Sequence, residues 1–269
     1  MYLIFDTETT GLPKKWNAPL TDSDNWPRCV QISWQIHDQG GGLISNRDYL
    51  IKPDGYNIPY ESEKIHGIST ELAVQDGEDI NNVLNLFRED LEKVQFIIGH
   101  NVNFDRNILG AEFLRKGQDD PFPSLKIIDT CTEETANICQ IKGGPRGRYK
   151  LPTLTELYFF LFNDKFQEAH NATADVEATA RVFFELIRRK LINPIAFEDQ
   201  NSQTDQITVI KDKISLYGIK HKNLRLESQK LKSPSTDKKQ PISKQLSSLK
   251  DHSFVHLHNH TQFSVLQST

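Results

Sequence analysis

Apolar and polar positions alternate in the early part of the chain in the manner of a β-sheet. The opening YLIFDTE is apolar on both faces as far as Asp6, which is typical of a buried central strand. RCVQISWQIHD then alternates, with Val30, Ile32, Trp34 and Ile36 on one face. DQGGG is a turn, and LISNRDYLIKP is the returning strand. The pattern predicts a three-strand meander.

Helical periodicity and short apolar runs follow. A short helix is predicted near YESEKIHG, and a longer amphipathic one over about residues 79–93. FIIGH and LKIIDT are short buried strands, and the helix between them has Asn103 as its cap and Gly117 as its stop. Further helices are predicted over residues 130–140, 153–162 and 173–190. A meander followed by strands that alternate with helices indicates an α/β fold, with a mixed five-stranded sheet flanked by helices.

The regular pattern weakens after residue 192. The segment ITVIKDKISLYGIKHKNLRLESQKL accommodates at most a short strand or helix, and KSPSTDKKQPISKQLSSLK has the composition of a solvated linker. SFVHLHNHTQFSVL is apolar again, as at the start of another domain. The chain is therefore predicted to divide into a body (1–192), a basic, largely flexible linker (193–252) and the start of a further domain (253–269).

Composition narrows the class of protein. The chain has 269 residues, 37% hydrophobic and 25% charged, which is ordinary for a soluble globular protein. Three cysteines with no CxxC spacing argue against a disulfide framework and favour a reducing cytoplasm. The first residues read as a strand rather than a signal peptide, and no apolar window is long enough to span a membrane. No membrane partner is expected.

The net charge of -4 hides an asymmetry. Residues 211–250 carry 11 Lys and Arg against 3 Asp and Glu, and residues 251–269 carry only the charge of Asp251, which leaves residues 1–210 with a net charge of -11. An acidic body argues against broad binding of phosphates by surface lysines. It is compatible with a site that collects divalent cations.

Two acidic residues end the first strand. Asp6 and Glu8 in FDTETTGL are two apart, so both carboxylates project from the same face of the strand. Unpaired buried charge is costly, and a bound cation would compensate for it. Taken alone, the pair is better explained by an exposed strand end.

Two further acidic residues and a histidine accompany this pair. Asp105 in GHNVNFDRNIL lies in the first turn of a helix, where the helix dipole favours a carboxylate in any case. Asp175 lies near the start of a strongly apolar helix, with Thr173 as its cap, and His170 precedes it by five residues. This spacing suits a metal ligand beside a general base. A capping aspartate and an unrelated surface histidine are the alternative.

The joint pattern, D-x-E on the first strand, Asp after G-H-N, and H-x4-D at the last helix of the body, resembles the DEDDh 3′–5′ exonucleases of the ribonuclease H-like fold. It is most similar to the proofreading (epsilon) subunits and exonuclease domains of bacterial replicative DNA polymerases. The resemblance implies that two divalent cations, Mg²⁺ or Mn²⁺, are held by four carboxylates. It also implies that a histidine accepts a proton from the attacking water. The implied residues are Asp6, Glu8, Asp105 and Asp175 as metal ligands and catalytic groups, with His170 as the general base.

Weaker family features surround these residues. Thr9, Gly11 and Leu12 resemble the motif that lines the terminal base, with Leu12 as a wedge. KIHGIS resembles the H-G-I element beside the site, which implies that His66 touches the terminal nucleotide. A histidine that merely ends a helix before Gly67 is an equal alternative.

The path of the nucleic-acid strand is implied by two more positions. Asn101 and Phe104 match residues that line it, although Phe104 also suits the core of its helix. The insert PKKWNAPLTDSDNWPR carries Trp16 and Trp26. The insert either forms a wall of the strand groove or, as we favour, its tryptophans pack it onto the body.

The C-terminal segment carries a second resemblance. His256, His258 and His260 alternate, so they share one face of a strand. FVHLHNHTQFSVL resembles the opening of the PHP (polymerase and histidinol phosphatase) domain at the N-terminus of bacterial DNA polymerase III alpha subunits, with His258 and His260 matching its H-x-H. A chance histidine-rich end is the alternative. Because the domain would be incomplete, no working metal site is predicted from these histidines.

The sequence therefore predicts a metal-dependent 3′–5′ exodeoxyribonuclease that proofreads for a replicative DNA polymerase and releases nucleoside 5′-monophosphates. The implied partners are single-stranded or frayed 3′ DNA ends and a polymerase alpha subunit, in cis or in trans. An RNA-trimming exoribonuclease of the same fold stays open, because the sugar is read through its 2′-OH and not by the catalytic residues. A polymerase-anchoring module is disfavoured, since all five catalytic residues are present.

Overall fold

The computed structural model describes residues 1–166, 169–192, 219 and 222–232. Its centre is one five-stranded sheet with the strand order β3-β2-β1-β4-β5. The first three strands pair antiparallel, and β4 and β5 continue the sheet in parallel from β1. The strands are β1 (Tyr2–Thr9), β2 (Cys29–His37), β3 (Leu43–Leu50), β4 (Phe96–Gly99) and β5 (Lys126–Asp129). The predicted mixed five-stranded sheet is confirmed.

The first strand is central and buried on both faces, as its apolar run predicts. Leu3 and Phe5 pack into the larger core cluster on one face of the sheet. Tyr2 and Ile4 pack on the other face against Phe183 of the last long helix of the body. Side chains alternate along a strand, so the residues that follow Phe5 also divide between two covered faces.

Eight α-helices accompany the sheet in the part of the chain that the structure describes. They are α1 (Tyr60–His66), α2 (Thr70–Asp76), α3 (Ile80–Leu91), α4 (Val102–Arg115), α5 (Glu133–Cys139), α6 (Leu154–Phe162), α7 (Ala172–Arg188) and α8 (Leu224–Lys232), with a short 3-10 turn at Pro145–Gly147. The predicted helices are present within a few residues of their expected bounds, and α2 was not predicted.

Two predicted helix caps differ from those in the structure. Helix α4 follows Asn101 rather than Asn103, because Asn101 adopts a left-handed conformation (φ 63°) and donates its N–H to Asp129. Helix α7 is capped by Asn171 rather than Thr173, and the Asn171 side chain accepts the N–H of Thr173 itself.

Helix α8 lies in ITVIKDKISLYGIKHKNLRLESQKL, the part of the predicted linker for which at most a short strand or helix is expected. It belongs to the same compact unit as the body, Met1–Lys232. Leu224 is buried in a cluster with Ile68 and Leu72, so an apolar anchor that looks isolated in the sequence has a partner in space. The remainder of the predicted linker, apart from residue 219, and the predicted PHP-like start with His256, His258 and His260 lie outside the described residues.

No helix in the described ranges is long and apolar enough to cross a membrane.

Candidate active site

The carboxyl end of β1 lies between α4 and α7. Asp6 and Glu8 continue the face of Tyr2 and Ile4, which α7 covers. The intervening Thr7 points to the other face, where α4 supplies its partner. The alternation of one strand therefore distributes three adjacent polar residues between two helices.

Asp105 is fixed by the strand it faces. The backbone N–H and the hydroxyl of Thr7 both donate to Asp105 Oδ1, at 3.0 and 2.6 Å. Burial raises the pKa of Asp105 to about 7, although the hydrogen bonds from Thr7 lower it. Sequence reasoning missed Thr7; its signal is its position between two acidic residues on a strand.

A buried glutamine attaches the start of α7 to the sheet. Gln31 on β2 accepts the N–H of Ala172 at 3.2 Å and donates to Asn171 Oδ1 at 3.3 Å. Gln31 is fully buried because α7 covers the polar face of β2, which simple alternation would place in solvent. This residue was also missed, since the register of a distant helix decides its surroundings. It positions the helix that carries Asp175.

His170 lies at the mouth of the site. Its φ of 68° is in the left-handed region, and its backbone N–H donates to Asp175 Oδ2 at 2.9 Å. The side chain is exposed. Ligand atoms of Glu8, His170 and Asp175 all lie within 4.8 Å of one another. The fold therefore brings Glu8 of β1 to His170 and Asp175 at the start of α7, although they are far apart in the chain.

The electrostatics of the site suit cations. Burial raises the pKa of Asp6 well above its ordinary value, and the charges of Asp105, Asp175 and Glu8 raise it further. The pKa of Glu8 is raised by burial and then by the charges of Asp175 and Asp105. Four carboxylates that repel one another in a buried place supply the oxygen ligands that Mg²⁺ and Mn²⁺ prefer. The residues present therefore fit divalent cations.

The turn after β1 holds the residues predicted to line the terminal base. The Thr9 hydroxyl donates to the Gly11 carbonyl at 2.7 Å, which closes a tight turn. Leu12 follows it with 73% of its surface exposed. Leu12 is thus an exposed apolar residue in the turn that follows β1, and its role as a wedge stays a prediction.

His66 is buried next to this turn. Its Nδ1 accepts the N–H of Ile68 at 3.1 Å, which leaves Nε2 to carry the proton of the neutral ring. Burial lowers the pKa of His66 to about 4, and the backbone of Thr9 opposes that shift. A cavity of about 180 Å³ lies between His66, His170 and the start of α8 at Leu224.

The two residues expected along the strand path lie on either side of the start of α4. Asn101 is exposed, and the carboxylate of Asp129 at the end of β5 accepts its N–H at 2.8 Å. Phe104 packs partly on the core and partly against Trp16, with ring centroids 5.9 Å apart. Phe104 therefore packs on the core and against the insert, and its place along the path of a strand stays a prediction.

A mixed five-stranded sheet, flanked by helices and ending in this acidic site, defines an exonuclease of the ribonuclease H-like fold. The family model described as Exonuclease (RNase_T) matches residues 3–183. The chain belongs to that family.

Two curated relatives are polymerase proteins. The chain is 25% identical over 221 residues to DNA polymerase III subunit epsilon of Rickettsia conorii, which covers 77% of this chain and 87% of that protein. It is 28% identical over 183 residues to DNA polymerase III PolC-type of Pediococcus pentosaceus, which covers 68% of this chain and only 11% of that protein. The chain thus spans nearly all of one relative and about a tenth of the other.

Solved structures show the same fold. A structure of exonuclease I superposes with a TM-score of 0.55 at 23% identity, covering 71% of this chain and 42% of that one. Exonuclease I of E. coli in complex with a dT13 oligonucleotide gives a TM-score of 0.54 at 23% identity, covering 70% and 40%.

Proposed function

We propose that this chain is a metal-dependent 3′–5′ exodeoxyribonuclease that proofreads for a replicative DNA polymerase. The observation that carries the proposal is the convergence of His170 with the carboxylates of Glu8 and Asp175 at the carboxyl end of β1, in a chain of the Exonuclease family. The charge of Asp105 raises the pKa of both Asp6 and Glu8, which supports placing Asp6 and Asp105 in the same acidic set.

The carboxylates of Asp6, Glu8, Asp105 and Asp175 would hold two divalent cations. When bound, Mg²⁺ or Mn²⁺ supplies Lewis-acid stabilisation of the negative charge that develops on the phosphoryl oxygens. Thr7 fixes the carboxylate of Asp105, and the backbone of His170 fixes that of Asp175. Preorganised ligands of this kind lower the cost of assembling the site.

His170 is assigned as the general base. Its imidazole is exposed to water and lies beside two of the carboxylates, so it can accept a proton from the attacking water. Attack of that water on the terminal phosphodiester breaks the bond to the 3′ oxygen of the preceding nucleotide. The products are a nucleoside 5′-monophosphate and a strand one unit shorter.

The assignment to DNA and to proofreading rests on the names of the relatives. Two of them are DNA polymerase III proteins, and a structural neighbour binds a dT13 oligonucleotide. We accordingly propose a frayed or single-stranded 3′ DNA end as substrate and a replicative polymerase alpha subunit as partner, in cis or in trans.

The test is the digestion of a 5′-labelled primer with a mismatched 3′ end on a DNA template, with Mg²⁺ or Mn²⁺. A parallel reaction uses an RNA strand of equal sequence, and EDTA and Asp175→Asn are the controls. A ladder from the DNA 3′ end that both controls abolish is the expected result. A strong preference for RNA would instead support an RNA-trimming exonuclease, and the absence of cleavage of either strand would contradict the proposal.

A further inference from the structure

The loop between β1 and β2 is held firmly to the body. At its base, the N–H of Thr10 donates to the Arg28 carbonyl and the N–H of Arg28 donates to the Thr10 hydroxyl, both at 2.9 Å. Within the loop, the Asn25 side chain accepts the N–H of Lys15 at 2.7 Å and donates to the Lys15 carbonyl at 3.0 Å. These bonds hold the segment around Lys15 in a defined position.

The far arm of the loop is anchored to α4 and to the core. Arg115 of α4 donates to the carbonyls of Ser23 and Trp26. The Trp26 indole is 3% exposed and belongs to the larger core cluster, and its Nε1 donates to Pro19 at 3.1 Å. The expectation that the tryptophans pack the loop onto the body is therefore correct for Trp26.

Trp16 behaves in the opposite way. It is 56% exposed, whereas the other two tryptophans of the chain, Trp26 and Trp34, are 3% and 0% exposed. Trp26 and the hydrogen bonds above anchor the loop, whereas Trp16 contacts Phe104 with part of its ring and leaves more than half of its surface in solvent. That exposed surface is available to a ligand.

The position of Trp16 links it to the active site. Its ring lies 5.9 Å from that of Phe104, with an interplanar angle of 52°. Phe104 precedes Asp105 on α4, and the exposed Leu12 lies at the other end of the same short segment as Trp16. The aromatic pair therefore borders the place where the strand end is expected.

Two lysines place positive charge beside the aromatic pair. Lys14 and Lys15 are exposed and directly precede Trp16, in a region whose overall charge is strongly negative. Within the described ranges neither ammonium group has an ion-pair partner. Lysines beside an exposed aromatic ring are the usual combination for single-stranded nucleic acid, where the ring stacks a base and the charges meet phosphates.

We propose that Trp16, with Phe104 behind it, is a stacking platform for a base of the single-stranded DNA substrate, and that Lys14 and Lys15 contact the adjoining phosphates. This inference rests on the proposed nuclease function and adds a subsite to it. The base it takes is one upstream of the terminal nucleotide, because the turn that holds Thr9, Gly11 and Leu12 is the part of the chain assigned to the terminal base. Stacking of this kind tolerates any base, as a proofreading enzyme requires.

The decisive measurement is the intrinsic fluorescence of the full chain titrated with oligo(dT) in EDTA, so that no cleavage occurs. Because only Trp16 among the three tryptophans is exposed, we expect a saturable change in emission that Trp16→Phe abolishes. Trp16→Phe retains an aromatic ring, so its melting temperature and its affinity for DNA should stay close to wild type. No emission change in a wild-type chain that binds the oligonucleotide would overturn the proposal.

Affinity and kinetics provide a second test. Trp16→Ala should weaken oligo(dT) binding and raise the KM for single-stranded DNA by about 5- to 150-fold, the range seen when one stacked base is lost. Hydrolysis of the p-nitrophenyl ester of thymidine 5′-monophosphate, which occupies only the terminal site, should be unchanged. Phe159→Ala, which removes another exposed ring (48% exposed) on α6, is the matched control and should alter neither substrate.

These outcomes separate the subsite from the nuclease itself. If wild type hydrolyses the ester and digests DNA but Trp16→Ala has wild-type KM and affinity, the subsite is wrong and the proposed function stands. If wild type hydrolyses neither substrate with Mg²⁺ or Mn²⁺, the proposed function fails first. Parallel loss of both substrates in Trp16→Ala alone would overturn the subsite, because the ring would then act on the terminal site.

The lysines are tested by the salt dependence of binding. Each phosphate contact with a single strand contributes roughly 0.7 to the slope of log affinity against log salt. The double variant Lys14→Gln, Lys15→Gln should lower that slope by about 1.4 while the Trp16 emission change persists. An unchanged slope would remove the phosphate contacts from the proposal.

Discussion

At the scale of the residue, His170 uses its backbone and its side chain for different tasks. The backbone N–H holds Asp175 in place, and the imidazole stays exposed to water. A left-handed conformation costs a residue other than glycine about 1–3 kcal/mol. Such strain is common at functional sites, where the surrounding structure maintains it.

The assignment of His170 predicts a defect in chemistry rather than in binding. His170→Ala should lower kcat on single-stranded DNA by about 10²- to 10⁴-fold, the usual contribution of a general base. The affinity for DNA in EDTA should stay at the wild-type value. Single-turnover digestion and equilibrium binding measure the two quantities.

The control for His170→Ala is Asp119→Asn, which changes an exposed side chain in the turn after α4 and should leave both quantities unaltered. A wild-type rate in His170→Ala would show that another group accepts the proton.

A second histidine, His100, is expected to affect the stability of the fold and not the hydrolysis reaction. His100 follows β4, with Nδ1 2.9 Å from the Thr130 hydroxyl and Nε2 2.9 Å from the Pro152 carbonyl. Burial lowers its pKa to about 4, against a backbone hydrogen bond to Pro152 that raises it. The unfolded chain takes up this proton near pH 6.5, so between pH 6.5 and 4 the unfolded state binds more protons.

The free energy of unfolding should therefore fall as the pH drops from 6.5 to 4, with up to about 3 kcal/mol lost through His100. Urea unfolding in EDTA at several pH values, for wild type and His100→Gln, isolates this part of the pH dependence. A difference between the two proteins that does not vary with pH would contradict the prediction.

Residue identity and spacing predict most of the candidate site, and the residues that they miss share one physical cause. Asp6, Glu8 and Asp175 stand out in the sequence because acidic residues are unusual where strands end and apolar helices begin. Thr7 and Gln31 do not stand out, because their importance depends on which distant helix covers them. The assigned roles of the acidic residues stay predictions until the variants are measured.

At the scale of the element, α8 meets the turn that follows α1 at close range. The Ser228 hydroxyl donates to the Gly67 carbonyl at 2.7 Å and accepts the N–H of Ser69 at 3.0 Å. Arg225 donates to the carbonyls of Lys64 and Ile65 at the end of α1. Helix α8 therefore holds the segment that presents His66.

Removing the Ser228 hydroxyl should be costly. Ser228→Ala leaves the buried N–H of Ser69 without its acceptor, and such a loss costs about 1–3 kcal/mol of the free energy of unfolding. Chemical denaturation measures it. Lys230→Ala, an exposed change on the same helix, should stay within about 0.5 kcal/mol of wild type.

If Ser228→Ala is as stable as Lys230→Ala, α8 does not pack on the body in solution. Gly67→Ala is a second test of whether α8 packs on the body. An added Cβ would meet the backbone of Arg225 at 2.9 Å, and the φ of 79° disfavours any other residue, so this change should displace α8 and lower the melting temperature.

Strands and long helices follow their sequence patterns, and short elements do not. Helix α2 has seven residues after the cap Ser69, too few to establish a period. Helix α8 is also short, and its segment predicts no more than a short strand or helix. Its stability comes from the cluster around Ile68 and Leu72, which the sequence of α8 alone does not contain.

At the scale of the whole molecule, the acidic site costs stability that cations should restore. Adding Mg²⁺ or Mn²⁺ should raise the melting temperature, because a ligand that binds only the folded chain stabilises it by about 2.7 kcal/mol at 100 times its Kd. Removal of the metal with EDTA should reverse the shift. Thermal melting across a metal titration measures it.

Asp6→Asn tests how much the negative charge of Asp6 destabilises the folded chain. In EDTA this variant should melt above wild type, since one buried and repelled carboxylate is gone. Its response to Mn²⁺ should be smaller, and its nuclease activity should be lost. Equal metal responses in Asp6→Asn and wild type would remove Asp6 from the ligands, and Asp119→Asn again serves as the control.

Because β1 is the central strand of the sheet, its contacts also determine the order in which the fold can form during synthesis. This strand is synthesised first, yet its parallel neighbour begins at Phe96, and the helix that covers Asp6 begins at Ala172. Contacts so distant in sequence form slowly, after the intervening chain has been made. A nascent chain that stops short of α7 therefore has the carboxylates of β1 and α4 without His170 and Asp175. Cutting activity should arise late in biosynthesis, once nearly the whole body has left the ribosome.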